Sequence, residues 1–415
     1  MRMGLIVQKF GGTSLANAEK IHRAARRAIR AKQDGNHVVV VVSAMDQTTD
    51  ELIDLAYQIT DRPSRREMDQ LLATGEQVSI ALMAMAIHHA GHDAISLTGG
   101  QIGLRTDRSF GRARIREITE RGRLMGFLNQ GSVVIVAGFQ GVDESANITT
   151  LGRGGSDTTA VALAASLKAD VCEIYTDVDG IYSADPRMVP KARKLDFIFY
   201  DEMLEMASLG AQVMHSRSIE LGKNYGVRIH VRSSFTDAKG TDIVKVSSDL
   251  EQVIVRGAAL KKNLARVELN RVPNRPGIAS EIFRRVAERE VMVDDIIQVI
   301  HEGGSSADIS FTIDAEAIET ARAVGNQLAA EMPGMMMEIK DRRAKVSVVG
   351  VGMRTHSGVA SRMFEALHQA NVNIENISTS EIVISCVVKQ DDGETALKAV
   401  HTAFELDQET RPNGA

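Results

Sequence analysis

Several short stretches gather charged, hydroxyl and glycine residues in patterns suited to handling phosphate. VQKFGGTS (7–14) ends an apolar run, Leu5 to Val7, in Lys9, then Gly11 and Gly12, then Thr13 and Ser14. Glycines let backbone N–H groups face an anion, and a lysine adds a point charge. A tight turn has the same composition, and the lysine precedes the glycines, unlike a P-loop. LGRGGSDTT (151–159) stands before an alanine- and leucine-rich helical segment. Gly154 and Gly155 permit close approach of backbone to ligand. Arg153, Ser156 and Asp157 offer a guanidinium fork, a hydroxyl and an acid, a set that suits a carboxylate-bearing substrate. Ser156 or Asp157 would serve equally as a helix cap. Two glycine loops of opposed charge at two strand ends point to phosphoryl transfer more strongly than either does alone.

SAMDQTTDE (43–51) and ATGEQVS (73–79) add hydroxyl donors for a small polar ligand. Glu76, read as near a helix start, either satisfies the helix dipole or balances a substrate ammonium. TDVDGIYSADPR (176–187) reads as a turn, favoured by its DG and DP pairs, or as a nucleotide-facing loop with Asp185 and Arg187 near ribose and phosphates. HHAGH (88–92) is read as a helix end and set aside as a metal site. The arginine run 105–123 reads as a solvated helix face, and VVGVGMR (348–354) as a strand end, because Thr355 occupies the third glycine position of a dinucleotide fingerprint.

The elements that must position these residues alternate. Apolar runs such as VVVVVSAM (38–45), SVVIVAGFQG (132–141) and VCEIYTDVDGIY (171–182) are separated by amphipathic segments up to about residue 245. This predicts a mostly parallel sheet covered on both faces, with ligands beyond its carboxyl ends. Beyond 246 the pattern repeats. Gly277/Gly358, Ala279/Ala360, Ser280/Ser361, Phe283/Phe364, Val291/Val372 and Ile296/Ile377 are identical at a constant offset of 81, within two copies of a predicted βαββαβ unit. ETRPNGA (409–415) reads as a frayed tail. The 415 residues, 44% hydrophobic and 25% charged with net charge −5, predict roughly two to four globular domains and give no case for nucleic acid or a membrane surface as partner. Cys172 and Cys386 lie far apart in apolar runs, which predicts buried free thiols in a reducing cytoplasm. No signal peptide opens the chain and no apolar run approaches the ~20 residues that span a bilayer.

KFGGTS, VVSAM, ATGEQ, VAGFQG, TTLGRGGSDTTA, YTDVDGIYSADPR, VRSSF and STSEI resemble aspartokinases in order and spacing across nearly the whole chain. The resemblance implies an α/β amino-acid kinase domain, a three-layer αβα architecture, over 1–246. It also implies two βαββαβ (ACT, ferredoxin-like) regulatory domains over 247–340 and 341–410. The implied activity is ATP-dependent phosphorylation of the β-carboxylate of L-aspartate, with Mg²⁺ carried by ATP and no metal-ligating set in the protein. Lys9 and Asp157 are the implied catalytic pair. Lys9, Gly11, Gly12, Thr176, Asp177, Tyr182, Asp185 and Arg187 would meet ATP; Ser43, Thr49, Glu76, Arg153 and Ser156 would hold aspartate. Lysine and threonine are the implied effectors, through Asn274, Gly277, Ile278, Ala279, Gln298, Met353, Asn373, Ile374, Thr379, Ser380 and Glu381, in a homo-oligomer built through the ACT domains. Many aspartokinases carry a lysine where this chain has Gln212, which puts that residue's phosphate contact in question and raises the burden on Lys9. The nearest methionines to the domain junction, Met214 and Met292, favour a single subunit type, unless a rare start codon at Leu250 or Val253 is used. After the repeat only a tail is expected, with no second catalytic domain. Another amino-acid kinase, such as one acting on acetylglutamate, and a regulatory protein with an inactive kinase domain are the competing readings.

Overall fold

Near-continuous runs of valine and isoleucine must be buried from both faces, and in the computed structural model they are. The structure describes residues 3–210, 213–246 and 254–408. The chain divides into two compact units, Met1–Tyr182 with Lys194–Leu250, and Ser183–Arg193 with Glu251–Ala415.

The first unit is built on an eight-stranded sheet in the order Phe197–Phe199, Thr241–Val244, Ile229–Ser233, Val171–Thr176, Gly4–Phe10, Asn36–Val42, Val133–Ala137, Ala94–Leu97. From Ile229–Ser233 onward the pairings are parallel; Thr241–Val244 runs antiparallel to Ile229–Ser233. Val38 to Val42 and Val133 to Ala137 are fully buried on both faces. On one face the helices Ala18–Gln33 and Arg65–His89 contribute Ile21, Ala28, Met83 and Ile87 to a core with Phe10, Val40 and Ile135. The helix Gly155–Leu167 has ten of its residues, Gly155 to Ala164, buried.

Arg65–His89 is long and apolar enough to cross a membrane by length and composition, a feature missed when only unbroken apolar runs are counted. More than half of that stretch is buried, and the helix carries Asp69 and Glu76 into the interior. The arginine run also departs from expectation. It lies on two short strands, Leu104–Thr106 and Ile115–Ile118, and the start of a helix, Arg121–Asn129. Leu104, Arg105 and Thr106 alternate buried, exposed, buried, a period of two rather than 3.6. These strands join Gln140–Val142 and Ile148–Thr150 in a second, four-stranded sheet.

The second unit contains the repeat as one six-stranded sheet, in the order Asp294–Ile300, Ser306–Asp314, Gly257–Pro273, Met336–Val349, Val383–Lys389, Asn376–Thr379. Matching helices, Ile278–Glu288 and Val359–Gln369, each begin at a glycine with φ of 91°, Gly277 and Gly358. That left-handed value is one that glycine adopts without strain. The two copies keep separate cores, one of residues such as Val267, Ile282 and Phe311, the other of Val346, Met363 and Leu397. The first copy finds its last strand in the start of Met336–Val349, where Asn270 to Arg266 pair with Met336 to Lys340. The second has no strand after its final helix among the described residues. Its place is filled from the front of the repeat, where Gly257 to Lys261 pair with Val349 to Lys345 and put Ala258 and Leu260 into the second core. The tail 409–415 and the junction positions Leu250 and Val253 lie outside the described residues.

Candidate active site

Beyond the carboxyl ends of the parallel strands lies an open pocket of about 270 Å³, lined by Lys9, Gly12, Ser43, Ala44, Asp46, Thr49, Glu76, Phe139 and Gly152 to Asp157. Lys9 is the penultimate residue of its strand, and Gly12–Ser14 then forms a single 3₁₀ turn. A Cβ on Gly12 would stand 2.8 Å from the Ala44 carbonyl oxygen, so glycine is what allows this turn to close on the Ser43 loop. VQKFGGTS is thus a tight turn, and its Lys9 and Gly12 line the pocket.

Lys9 Nζ is 2.7 Å from Asp157 Oδ1, with side chains only 12% and 11% exposed. Asp157 occupies the first turn of Gly155–Leu167, where the helix dipole also favours its negative charge. The N-cap of that helix is Gly154, at φ 70°, rather than Ser156 or Asp157. A side chain at Gly154 would meet His215 at 2.3 Å. Ser156 and Asp157 are thus left with their side chains on the pocket wall. Ser156 packs so closely on Gly138 that a Cβ there would lie 2.6 Å from Ser156 Oγ. Arg153, also on the wall, is exposed and makes no ion pair among the described residues.

Glu76 sits mid-helix in Arg65–His89, which removes the helix-dipole reading. Gly75 lets this helix approach the Ser43–Ala44 loop, since a Cβ there would be 2.8 Å from Ala44 Cβ. Glu76 Oε1 accepts a hydrogen bond from the Ala44 N–H at 3.0 Å, while Oε2 is buried without a partner. Burial pushes the carboxyl up to about 7, against the lowering effect of the Ala44 bond. A buried carboxylate with one oxygen unsatisfied beside a polar pocket is a ready acceptor for a cationic group.

The nucleotide-side residues divide. Gly11, Thr176 and Asp177 lie in the first unit, with Thr176 Oγ1 donating to Asp177 Oδ1 at 3.0 Å; Tyr182 bridges to Lys194 there. Asp185 and Arg187 fall in the Ser183–Arg193 segment, which belongs to the second unit, and pair with each other at 2.7 Å. That guanidinium holds the Asp185 carboxyl below the usual range. Gln212 lies outside the described residues. His88 of HHAGH bonds through Nε2 to the Ala94 backbone at 2.9 Å. Cys172 and Cys386 are both free and buried. The pocket also recruits Asp46 and Phe139, which sequence reasoning quoted within SAMDQTTDE and VAGFQG without singling them out; both have positive φ, 42° and 68°.

Residues 4–233 match the model of the amino acid kinase family, and residues 346–404 match an ACT domain model. Aspartokinase 2 of Bacillus subtilis is 51% identical over 97% of this chain and 98% of its own length. The chain belongs to the aspartokinase family. E. coli aspartokinase III has been solved with aspartate and ADP in an R-state (TM-score 0.79) and with lysine and aspartate in a T-state (TM-score 0.78). It is 26% identical to this chain, and the matches cover 96% of this chain and 99% of that one.

The residues expected to hold effectors fall at the first helix start and along the edge strands of the two copies. Asn274 donates from Nδ2 to the Gly304 carbonyl at 2.7 Å and precedes Gly277, Ile278 and Ala279 at the first helix start. Gln298 is exposed on the edge strand Asp294–Ile300. In the second copy Asn373 and Ile374 lead into the other edge strand, which ends at Thr379. Ser380 Oγ accepts from the Val383 N–H at 3.1 Å, and Glu381 pairs with Arg354, next to Met353, at 3.1 Å.

Proposed function

We propose that this enzyme transfers the γ-phosphoryl group of ATP to the β-carboxylate of L-aspartate, giving 4-phospho-L-aspartate and ADP. The observation that carries the reading is the Lys9–Asp157 pair in one pocket with Glu76, Arg153 and Ser156. A β-carboxylate oxygen attacks the γ-phosphorus in line as the bond to the β,γ-bridging oxygen breaks. A carboxylate is already ionised at neutral pH, so no general base is required, and positioning with charge stabilisation supplies the catalysis. Lys9 faces the transferring phosphoryl group, Gly11 and Gly12 line the phosphates, and Asp157 holds Lys9 in place. Glu76 takes the substrate ammonium, Arg153 a carboxylate, and Ser43, Thr49 and Ser156 supply hydroxyl donors. The pocket brings a single carboxylate, Asp157, to the lysine, which fits a Mg²⁺ ion held chiefly by the triphosphate and water. That ion would neutralise charge on the phosphates.

The same reading makes this the first step toward the amino acids derived from aspartate, feedback-inhibited by lysine, threonine or both through the second unit. Inhibition requires that an effector bind the inactive state more tightly than the active one. The exposed edge strands of that unit, with Ile296, Val299, Ile300 and Ile377 uncovered, support a homo-oligomer formed there. The buried free thiols support a cytoplasmic setting. The test is trapping of the acyl phosphate with hydroxylamine in the presence of ATP, Mg²⁺ and L-aspartate, with and without lysine and threonine. Hydroxamate from another acid but none from aspartate defeats the substrate assignment, and indifference to both amino acids defeats the regulatory one.

A further inference from the structure

Asp69 is completely buried, yet it belongs to none of the groups assigned to substrate. Its carboxylate collects three donors: Thr150 N and Thr150 Oγ1, both at 2.7 Å, and Gly111 N at 3.0 Å. Thr150 is the last residue of Ile148–Thr150, two positions before the glycine loop that carries Arg153. A second clamp comes from Arg217 in the helix Ser216–Tyr225. Its guanidinium donates to the Leu151 carbonyl at 2.8 Å and to the Ala113 carbonyl at 2.7 Å. The Ala113 N–H in turn donates to the Thr150 carbonyl at 2.8 Å. Gly152 lies against the same arm, where a Cβ would be 2.9 Å from the Gly111 carbonyl oxygen.

Asp69 and Glu76 share one helix, Arg65–His89, and both are buried. Seven residues separate them, about two turns and roughly 10 Å along the axis. One rigid element therefore holds the Ser43–Ala44 loop at one position, through Glu76, and the root of the Arg153 loop at the other, through Asp69. We infer that Asp69 and Arg217 are positioning residues that fix the Arg153 loop relative to Glu76, setting the span between the carboxylate and ammonium subsites for the amino-acid substrate. The inference rests on the assignment of Arg153 and Glu76 to that substrate. Asp157 is held separately, by its own helix and by Lys9, so the clamp governs substrate binding more than the phosphoryl-transfer step.

The test compares Asp69→Asn, Arg217→Lys, Arg217→Ala and Arg153→Ala in the full-length enzyme. Each is measured for kcat, KM for aspartate, KM for ATP and melting temperature. Asp69→Asn leaves the size intact but turns one acceptor into a donor facing N–H groups. The expected result is a rise of about tenfold or more in KM for aspartate, the misplacement penalty for a binding group. KM for ATP and kcat should stay within about threefold. Arg217→Ala should act in the same direction, with Arg217→Lys recovering part of the loss. A merely structural role would lower the melting temperature and the active fraction while leaving KM for aspartate unchanged, and that result overturns the inference. If Arg153→Ala itself leaves KM for aspartate unchanged, the substrate assignment has failed. If Arg153→Ala raises it and Asp69→Asn does not, only the clamp has failed.

Discussion

Replacing Glu76 with glutamine should improve the folding energetics of this enzyme with rising pH while damaging its binding of substrate. Burial raises the Glu76 carboxyl from 4.5 to about 7. In the unfolded chain it loses its proton near 4.5, whereas the folded protein keeps it until about 7. Across that window the folded state binds more protons, so stability falls as pH rises, then levels off above the folded pKa. At ~1.4 kcal/mol per tenfold in proton affinity, the loss is about 3 kcal/mol. Glutamine does not titrate and can keep the acceptor that meets the Ala44 N–H. Its amide leaves a buried donor where Oε2 had no partner, a pH-independent cost of ~1–3 kcal/mol. The diagnostic quantity is therefore the difference between the two proteins as a function of pH, in which all other titrations cancel. Melting of both between pH 4.5 and 8.5, without substrate, should show the wild type losing about 3 kcal/mol relative to the variant, mostly below pH 7.5. Removing a charge-assisted contact to the ammonium should raise KM for aspartate by roughly 30-fold, equivalent to ~2 kcal/mol. Parallel melting profiles, or an unchanged KM, would refute the reasoning.

Lys9→Ala should lower turnover at least ~10²-fold, the expected loss for a transition-state charge contact, as read by hydroxamate formation; turnover within about threefold of wild type removes Lys9 from its role. Gly138→Ala places a Cβ 2.6 Å from Ser156 Oγ and should cost ~10- to 100-fold in kcat/KM for aspartate by displacing the pocket wall; unaltered kinetics would mean the wall tolerates the shift. Lys345 is buried at 4% exposure against Asp294 and Asp295, with the Asp295 contact at 3.0 Å. Lys345→Met strands the buried Asp295, while the largely exposed Asp294 can turn to water, and should destabilise the second unit by about 3 kcal/mol in thermal unfolding; a loss under ~1 kcal/mol would show that Asp295 also rearranges into water.

What could be read from the sequence was whatever expresses itself as local pattern. The valine runs announced doubly covered strands, because alternation disappears when both faces are buried. The repeat announced itself because each copy needs the same glycine at the start of the same helix. Glu76 was legible as a candidate but not in its setting, since its mid-helix position depends on how far Arg65–His89 extends through ATGEQ. The arginine run was misread because charge density hid the short alternation of Leu104 to Thr106. Asp69 and Arg217 were invisible for a different reason. Their partners are backbone groups distant in the chain, Gly111, Ala113, Thr150 and Leu151, and backbone partners leave no mark on residue type.

The borrowed strand in the second unit carries a consequence for how that unit responds to ligands. Gly257–Pro273 and Met336–Val349 each pass through both copies, so the first half of one strand completes the second core and its second half belongs to the first. Arg266 of the first copy donates to the Glu375 carbonyl of the second at 3.0 Å, and Lys345 of the second is buried against Asp294 and Asp295 of the first. Neither copy can therefore lose its order without removing strand partners and charge partners from the other. A ligand that stabilises one copy by RT ln(1 + [L]/Kd) necessarily stabilises the joint sheet, including the copy it does not touch. Any effect of one ligand on the affinity for a second would need two arrangements of that joint sheet bound unequally, and such coupling would be reciprocal.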